Sequence, residues 1–120
     1  STDNILPFFA NRFEKESQIR WSEIHDRADI QKRTLERQIN SEINLREEKI
    51  ERARARLRAG ERTSVKLSPE ETFAKVKQLT EGQINKLLEK KQNQETKINS
   101  QTKMIEEFED LAVIYLEYTS

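Results

Sequence analysis

The sequence predicts an all-α fold, a long antiparallel two-helix hairpin of the coiled-coil type. It leaves open whether the hairpin joins partner chains or a second copy in a larger helical bundle. Hydrophobic residues make up 33% of the 120 residues and charged residues 37%, which excludes a thick core. The apolar residues are nonetheless periodic, and only two Gly and two Pro interrupt the chain. This periodicity and the zero net charge argue against disorder.

The first helix is predicted over residues 7–59, after an N-terminal cap segment at residues 1–6. Its apolar residues form two rows, each with a spacing of eleven residues, and the rows lie four residues apart. Eleven residues make three turns of about 3.67 residues, so the rows form one stripe on a nearly straight helix. The first row contains Phe13, Ile24, Leu35, Arg46 and Leu57, and the second contains Ala28, Ile39 and Ile50.

A loop is predicted at residues 60–68 from two independent signals. Gly60 follows an Arg-rich stretch, and a glycine directly after cationic residues is typical of a helix C-terminus. Ser68 suits the N-cap of the next helix and Pro69 its first position, while Glu71 completes a capping box.

The second helix is predicted over residues 69–118 by a heptad pattern of a and d positions. The a positions are Ile84, Lys91, Ile98, Ile105 and Ala112, and the d positions are Leu87, Gln94, Gln101, Phe108 and Tyr115. Two helices of similar length joined by a short loop favour an antiparallel hairpin, in which paired residue numbers sum to about 128. Four polar residues in the two seams indicate a hydrated stretch or a place where a third helix packs: Arg46, Lys91, Gln94 and Gln101.

Clusters of apolar and aromatic residues begin and end the chain, and the hairpin brings them together. Both clusters cover more than one helix face, so a two-helix pair cannot bury them completely. They are expected to form a docking surface for another protein or a small local core. The partner-binding candidates are Ile5, Leu6, Phe8, Phe9, Phe13, Leu111, Val113, Ile114, Tyr115, Leu116 and Tyr118.

A basic collar near the loop is the candidate for anion binding, and it consists of Arg52, Arg54, Arg56, Arg58 and Arg62. It suggests an alternative function, association with nucleic acid through phosphate contacts. Steps of two residues turn a helix by about 200°, so the collar forms no single basic stripe. Residues 1–60 have a net charge of +2 and residues 61–120 of −2, and a dedicated nucleic-acid binder is therefore not expected.

The sequence indicates no enzyme, no cofactor and no metal site. It contains no cysteine, no glycine-rich phosphate loop and no nucleophile motif. Its single histidine, His25, is one turn from Asp29 and Trp21, but a lone helical histidine is usually structural or solvent-facing. Peripheral membrane binding or tethering through the apolar start of the chain is a second alternative. It is not favoured, because that start has no basic face.

These observations predict a non-enzymatic structural or adaptor subunit of a larger protein complex. Its partners are expected to be other protein subunits that pack against its helices, and a homo-oligomer, such as a four-helix bundle of two hairpins, is left open. Without cysteines or an apolar stretch of about 20 residues, an intracellular location, in cytoplasm or nucleus, is expected.

Overall fold

The protein consists of two long α-helices joined by a short loop. The computed structural model describes the backbone of residues 5–119 and the side chains of residues 12–119, except that of residue 13. Helix α1 spans Ile5–Arg58 and helix α2 spans Pro69–Thr119. The described residues contain no strand. The predicted helical hairpin is therefore confirmed, with α1 beginning two residues earlier than expected.

The connection between the helices has the features that the sequence predicts. Gly60 has a φ of 69°, a left-handed conformation that favours glycine. Its N–H donates to the Leu57 carbonyl at 3.0 Å, and the Glu61 N–H donates to the Arg56 carbonyl at 3.0 Å. These two bonds form a Schellman motif, which ends α1. At the start of α2 the Glu71 N–H donates to Ser68 Oγ at 3.2 Å, as expected for an N-cap serine.

The chain divides into two compact units, which we call the loop unit and the terminal unit. The loop unit comprises Thr34–Gln94, and the terminal unit comprises the chain up to Arg33 together with the chain from Glu95 onward. In the loop unit the two helices bury four large aliphatic side chains and one threonine. These are Leu35, Ile39, Ile50, Leu87 and Thr80. The terminal unit buries only Ala28 among its described side chains.

In each helix, the residues that face the other helix follow one another in steps of three, four and four residues, and we call these the inward positions. In the loop unit the inward positions of α2 are 73, 76, 80, 84, 87 and 91. In the terminal unit they are 95, 98, 102, 106, 109 and 113. This is the eleven-residue spacing predicted for α1, where Ile39 and Ile50 are buried and Arg46 is half-buried. A spacing of about 3.67 residues per turn keeps two nearly straight helices in contact.

The heptad predicted for α2 is wrong in the second half of the helix. Ile84, Leu87, Lys91 and Ile98 do face α1, but Gln94 and Gln101 are exposed. Three apolar heptad residues are exposed as well: Ile105, Phe108 and Tyr115. Repeats of seven and of eleven residues have different numbers of residues per helical turn. Along α2 the heptad positions therefore rotate away from α1 after about two repeats.

The antiparallel register agrees with the prediction to within a few residues. In the loop unit, Lys91 Nζ lies 4.0 Å from Glu36 Oε1, and these residue numbers sum to 127. In the terminal unit, His25 contacts Glu106, and their numbers sum to 131. A sum of about 128 predicts Ile50 near Leu79, Ile39 near Leu88 and Ile24 near Ile105. The inward residues of α2 are displaced from these expected partners by one position. Leu79, Leu88 and Ile105 are exposed, while Thr80, Leu87 and Glu106 face α1.

Candidate docking surface

The predicted partner-binding residues at the end of α2 are exposed, with one exception. Leu111, Ile114, Tyr115, Leu116 and Tyr118 are between 48% and 87% exposed. Val113, in contrast, is half-buried on the inward stripe of the terminal unit. The candidates at the start of α1 have side chains that lie outside the described part of the structure: Ile5, Leu6, Phe8, Phe9 and Phe13.

The outward face of α2 in the terminal unit presents a continuous apolar row, which we call the outer stripe. Its members follow one another in steps of four and three residues and are between 65% and 87% exposed. They are Met104, Phe108, Leu111, Tyr115 and Tyr118. Phe108 and Tyr115 belong to the predicted heptad, which was expected on the inside of the hairpin. Met104 is not among the predicted heptad or partner-binding residues, although it lies seven residues before Leu111 and four before Phe108.

Polar contacts hold the inward face of the terminal unit. Arg20 Nη1 donates to Glu109 Oε2 at 2.9 Å, which joins α1 to α2. One turn away, His25 Nε2 contacts Glu106 Oε1, and the Trp21 ring lies over His25 with 4.0 Å between the ring centroids. Of the two alternatives for His25, structural or solvent-facing, this contact favours the structural one, and the partner is Glu106 of α2. Carboxylates occupy inward positions where the loop unit has aliphatic side chains.

A groove of about 330 Å³ lies beside these contacts in the terminal unit. Trp21, Ile24 and Val113 form its apolar lining, while Glu14 and Asp110 add carboxylates. Its volume is at the lower end of that of small-molecule sites, about 300–1,000 Å³. Among the described residues, no group of three or more His, Cys, Asp or Glu side chains could hold a metal ion.

The basic collar is partly occupied by contacts inside the loop unit. Arg54 is half-buried, with its guanidinium carbon 5.5 Å from the centroid of the Phe73 ring and its Nε 3.4 Å from Glu51 Oε1. Arg62 donates hydrogen bonds to the carbonyls of Ser64 and Val65 at 3.2 and 3.4 Å. The remaining members are exposed: Arg52, Arg56 and Arg58.

Charge is divided more unevenly between the units than between the sequence halves. The loop unit contains 14 Lys and Arg residues against 10 Asp and Glu, a net charge of +4. The terminal unit contains 8 basic and 12 acidic residues, a net charge of −4. Folding back at residue 60 collects acidic residues from both chain ends in one unit, which a count along the sequence does not show.

Comparison of the chain with models of protein families, with curated proteins and with solved structures gives no match. Within the described part of the chain, neither helix contains a stretch apolar and long enough to cross a membrane.

Proposed function

We propose that the protein is a non-enzymatic adaptor or structural subunit that docks another protein through its terminal unit. The observation that supports this proposal is the distribution of exposed apolar side chains. Of the described large hydrophobic residues with high exposure, eleven belong to the terminal unit and four to the loop unit. Contiguous apolar surface of this kind typically marks an interaction site.

The residues at the end of α2 strengthen this interpretation, because they include aromatic side chains. Phe108, Tyr115 and Tyr118 are 72%, 67% and 87% exposed. Aromatic side chains bury large areas in interfaces and contribute strongly to binding energy. The loop unit, which buries its own aliphatic residues, would serve as the stable base of the adaptor. We place this role inside the cell, in the cytoplasm or nucleus, since the chain contains no cysteine.

Co-purification of the tagged full chain from its source cells tests the proposal. The double variant Phe108→Ser/Tyr115→Ser should lose a stoichiometric protein partner that the unchanged chain retains. The matched control is Leu79→Ser/Leu88→Ser, which alters two exposed apolar residues of the loop unit and should retain the partner. Equal recovery of the partner by both double variants, or no stoichiometric partner at all, would contradict docking by the terminal unit.

Association with nucleic acid is the second candidate, and the net charge of +4 on the loop unit favours it. Arg52, Arg56 and Arg58 are exposed and available for phosphate contacts. Binding of a labelled DNA or RNA oligonucleotide should then weaken steeply as salt increases. Changing these three residues to Glu should abolish it, and unaltered binding would remove this candidate.

A further inference from the structure

Opposite faces of the end of α2 follow different residue spacings, and the exposed face is the more apolar of the two. The inward positions, which include Ile98 and Val113, follow the eleven-residue spacing that matches α1. The outer stripe alternates steps of four and three residues, which is the pattern of a coiled-coil seam. The outward face of a two-helix pair is ordinarily polar. The second pattern is therefore suited to a helix other than α1.

The surroundings of the outer stripe are acidic. Residues 104–119 contain five Asp and Glu residues and no Lys or Arg. Two of the five, Glu106 and Glu109, contact His25 and Arg20 across the terminal unit. Among the described side chains none forms an ion pair with the other three: Glu107, Asp110 and Glu117. Basic groups on a partner would complement this charge.

The same charge disfavours a second copy of this chain as the occupant of the outer stripe. Pairing two copies through their outer stripes would place two segments with five acidic residues each beside one another. Neither segment contains a basic residue that could offset the repulsion. Like charges across an interface reduce affinity and act against the wrong partner.

We propose that the outer stripe binds an amphipathic helix of another protein, with apolar residues in steps of three and four and with Lys or Arg beside them. This inference rests on the proposed docking function and specifies the chemistry of the partner. Phe108, Leu111 and Tyr115 form the centre of the contact, and Glu107 and Asp110 attract the basic flank. The docked helix packs against α2 on the side away from α1 and forms a second helix pair there.

Two synthetic helical peptides of about three heptads, both with Leu at a and d, test this inference on the full chain. One peptide has Lys at its e and g positions and the other has Glu. By fluorescence anisotropy, the Lys peptide should bind about tenfold more tightly than the Glu peptide, and added salt should reduce the difference. Phe108→Ser/Tyr115→Ser should weaken binding of the Lys peptide at least about tenfold. The control Leu79→Ser/Leu88→Ser should not change it.

A charge-reversed chain provides an independent readout. The triple variant Glu107→Lys/Asp110→Lys/Glu117→Lys should prefer the Glu peptide, because these exposed residues set the sign of the local charge. Circular dichroism of each variant verifies that the helices remain. A triple variant that still prefers the Lys peptide would overturn the electrostatic part of the inference.

Further outcomes separate this inference from the proposed function. If both peptides bind equally and Phe108→Ser/Tyr115→Ser abolishes the binding, the docking function is supported. The inference that the partner helix is basic is then wrong. If neither peptide binds while the co-purified partner still depends on Phe108 and Tyr115, the docking function stands and the third helix is wrong. Sedimentation showing a dimer that Phe108→Ser/Tyr115→Ser dissociates would identify a second copy as the occupant and overturn the inference.

Discussion

The loop unit and the terminal unit are built from the same two helices and have similar sizes, 61 and 59 residues. They differ in whether their described apolar side chains are buried or exposed. The loop unit buries Leu35, Ile39, Ile50 and Leu87 between its helices. Among its described side chains, the terminal unit buries Ala28 and leaves eleven large apolar residues exposed. How many apolar side chains the hairpin buries therefore depends on the face of the helix on which they lie, not on their number.

This difference implies that the units differ in stability. Buried aliphatic side chains stabilise the loop unit by roughly 1.5–3 kcal/mol each. In the terminal unit, inward positions are occupied by Thr102, Glu106 and Glu109, and the contacts of the two glutamates with α1 are partly exposed. Partly exposed ion pairs contribute only about 0–1 kcal/mol each. We infer that the loop unit is the more stable of the two and that a bound partner would stabilise the terminal unit.

The largest effect is expected for Ile39→Ala in the loop unit. Ile39 is 4% exposed, so its truncation should lower the free energy of unfolding by about 3 kcal/mol. The matched control is Ile30→Ala in the terminal unit, where the side chain is 59% exposed and the loss should be about 0.5 kcal/mol or less. Urea unfolding followed by circular dichroism measures both. Similar decreases in the free energy of unfolding for the two variants would contradict the inferred difference in side-chain burial between the units.

A smaller effect of opposite sign is expected for Thr102→Leu. Thr102 is half-buried on the inward face of the terminal unit, and its hydroxyl donates to the Ile98 carbonyl of its own helix at 2.8 Å. A leucine there should bury additional apolar surface and stabilise this unit by about 1 kcal/mol. Hydrogen exchange of the amides of residues 95–113 should slow accordingly. Lys103→Leu, at an exposed position, is the control, and an equal slowing there would contradict the assignment of faces.

The smallest effect is expected for the pair Arg20 and Glu109. Their side chains are 57% and 35% exposed, so a double-mutant cycle with alanine should give a coupling free energy of about 0.5 kcal/mol. High salt should reduce this value, since both groups are reached by solvent. A coupling well above about 1 kcal/mol would show that polar contacts hold the terminal unit as firmly as apolar burial holds the loop unit.

Local signals in the sequence were sufficient for the helices and their connection. The positive φ of Gly60 and the hydrogen bond to Ser68 Oγ are both at the predicted residues. Such signals depend on neighbours a few residues away, so a single sequence contains them completely. The eleven-residue stripe predicted for α1 also agrees with the structure, because all of its members with described side chains are buried or half-buried.

The candidate docking surface could be predicted only in part. Exposure of Leu111, Ile114 and Tyr118 agrees with the expected surplus of apolar residues. Phe108 and Ile105 were placed inside because the end of α2 contains two overlapping apolar patterns, and the heptad is the more regular. The sequence alone does not show which pattern faces α1.

By itself, the sequence determined two long helices and, to within a residue, their boundaries at the loop, because capping chemistry and helical periodicity are local. The similar lengths of the helices and the short loop then gave the approximate antiparallel register. Only the tertiary structure decided which face of α2 turns inward and how charge divides between the units. Both depend on the match between the stripes of two helices whose contacting residues are far apart in the chain. The eleven-residue stripe of α1 selects its equivalent on α2, and the heptad residues Ile105, Phe108 and Tyr115 remain on the outside.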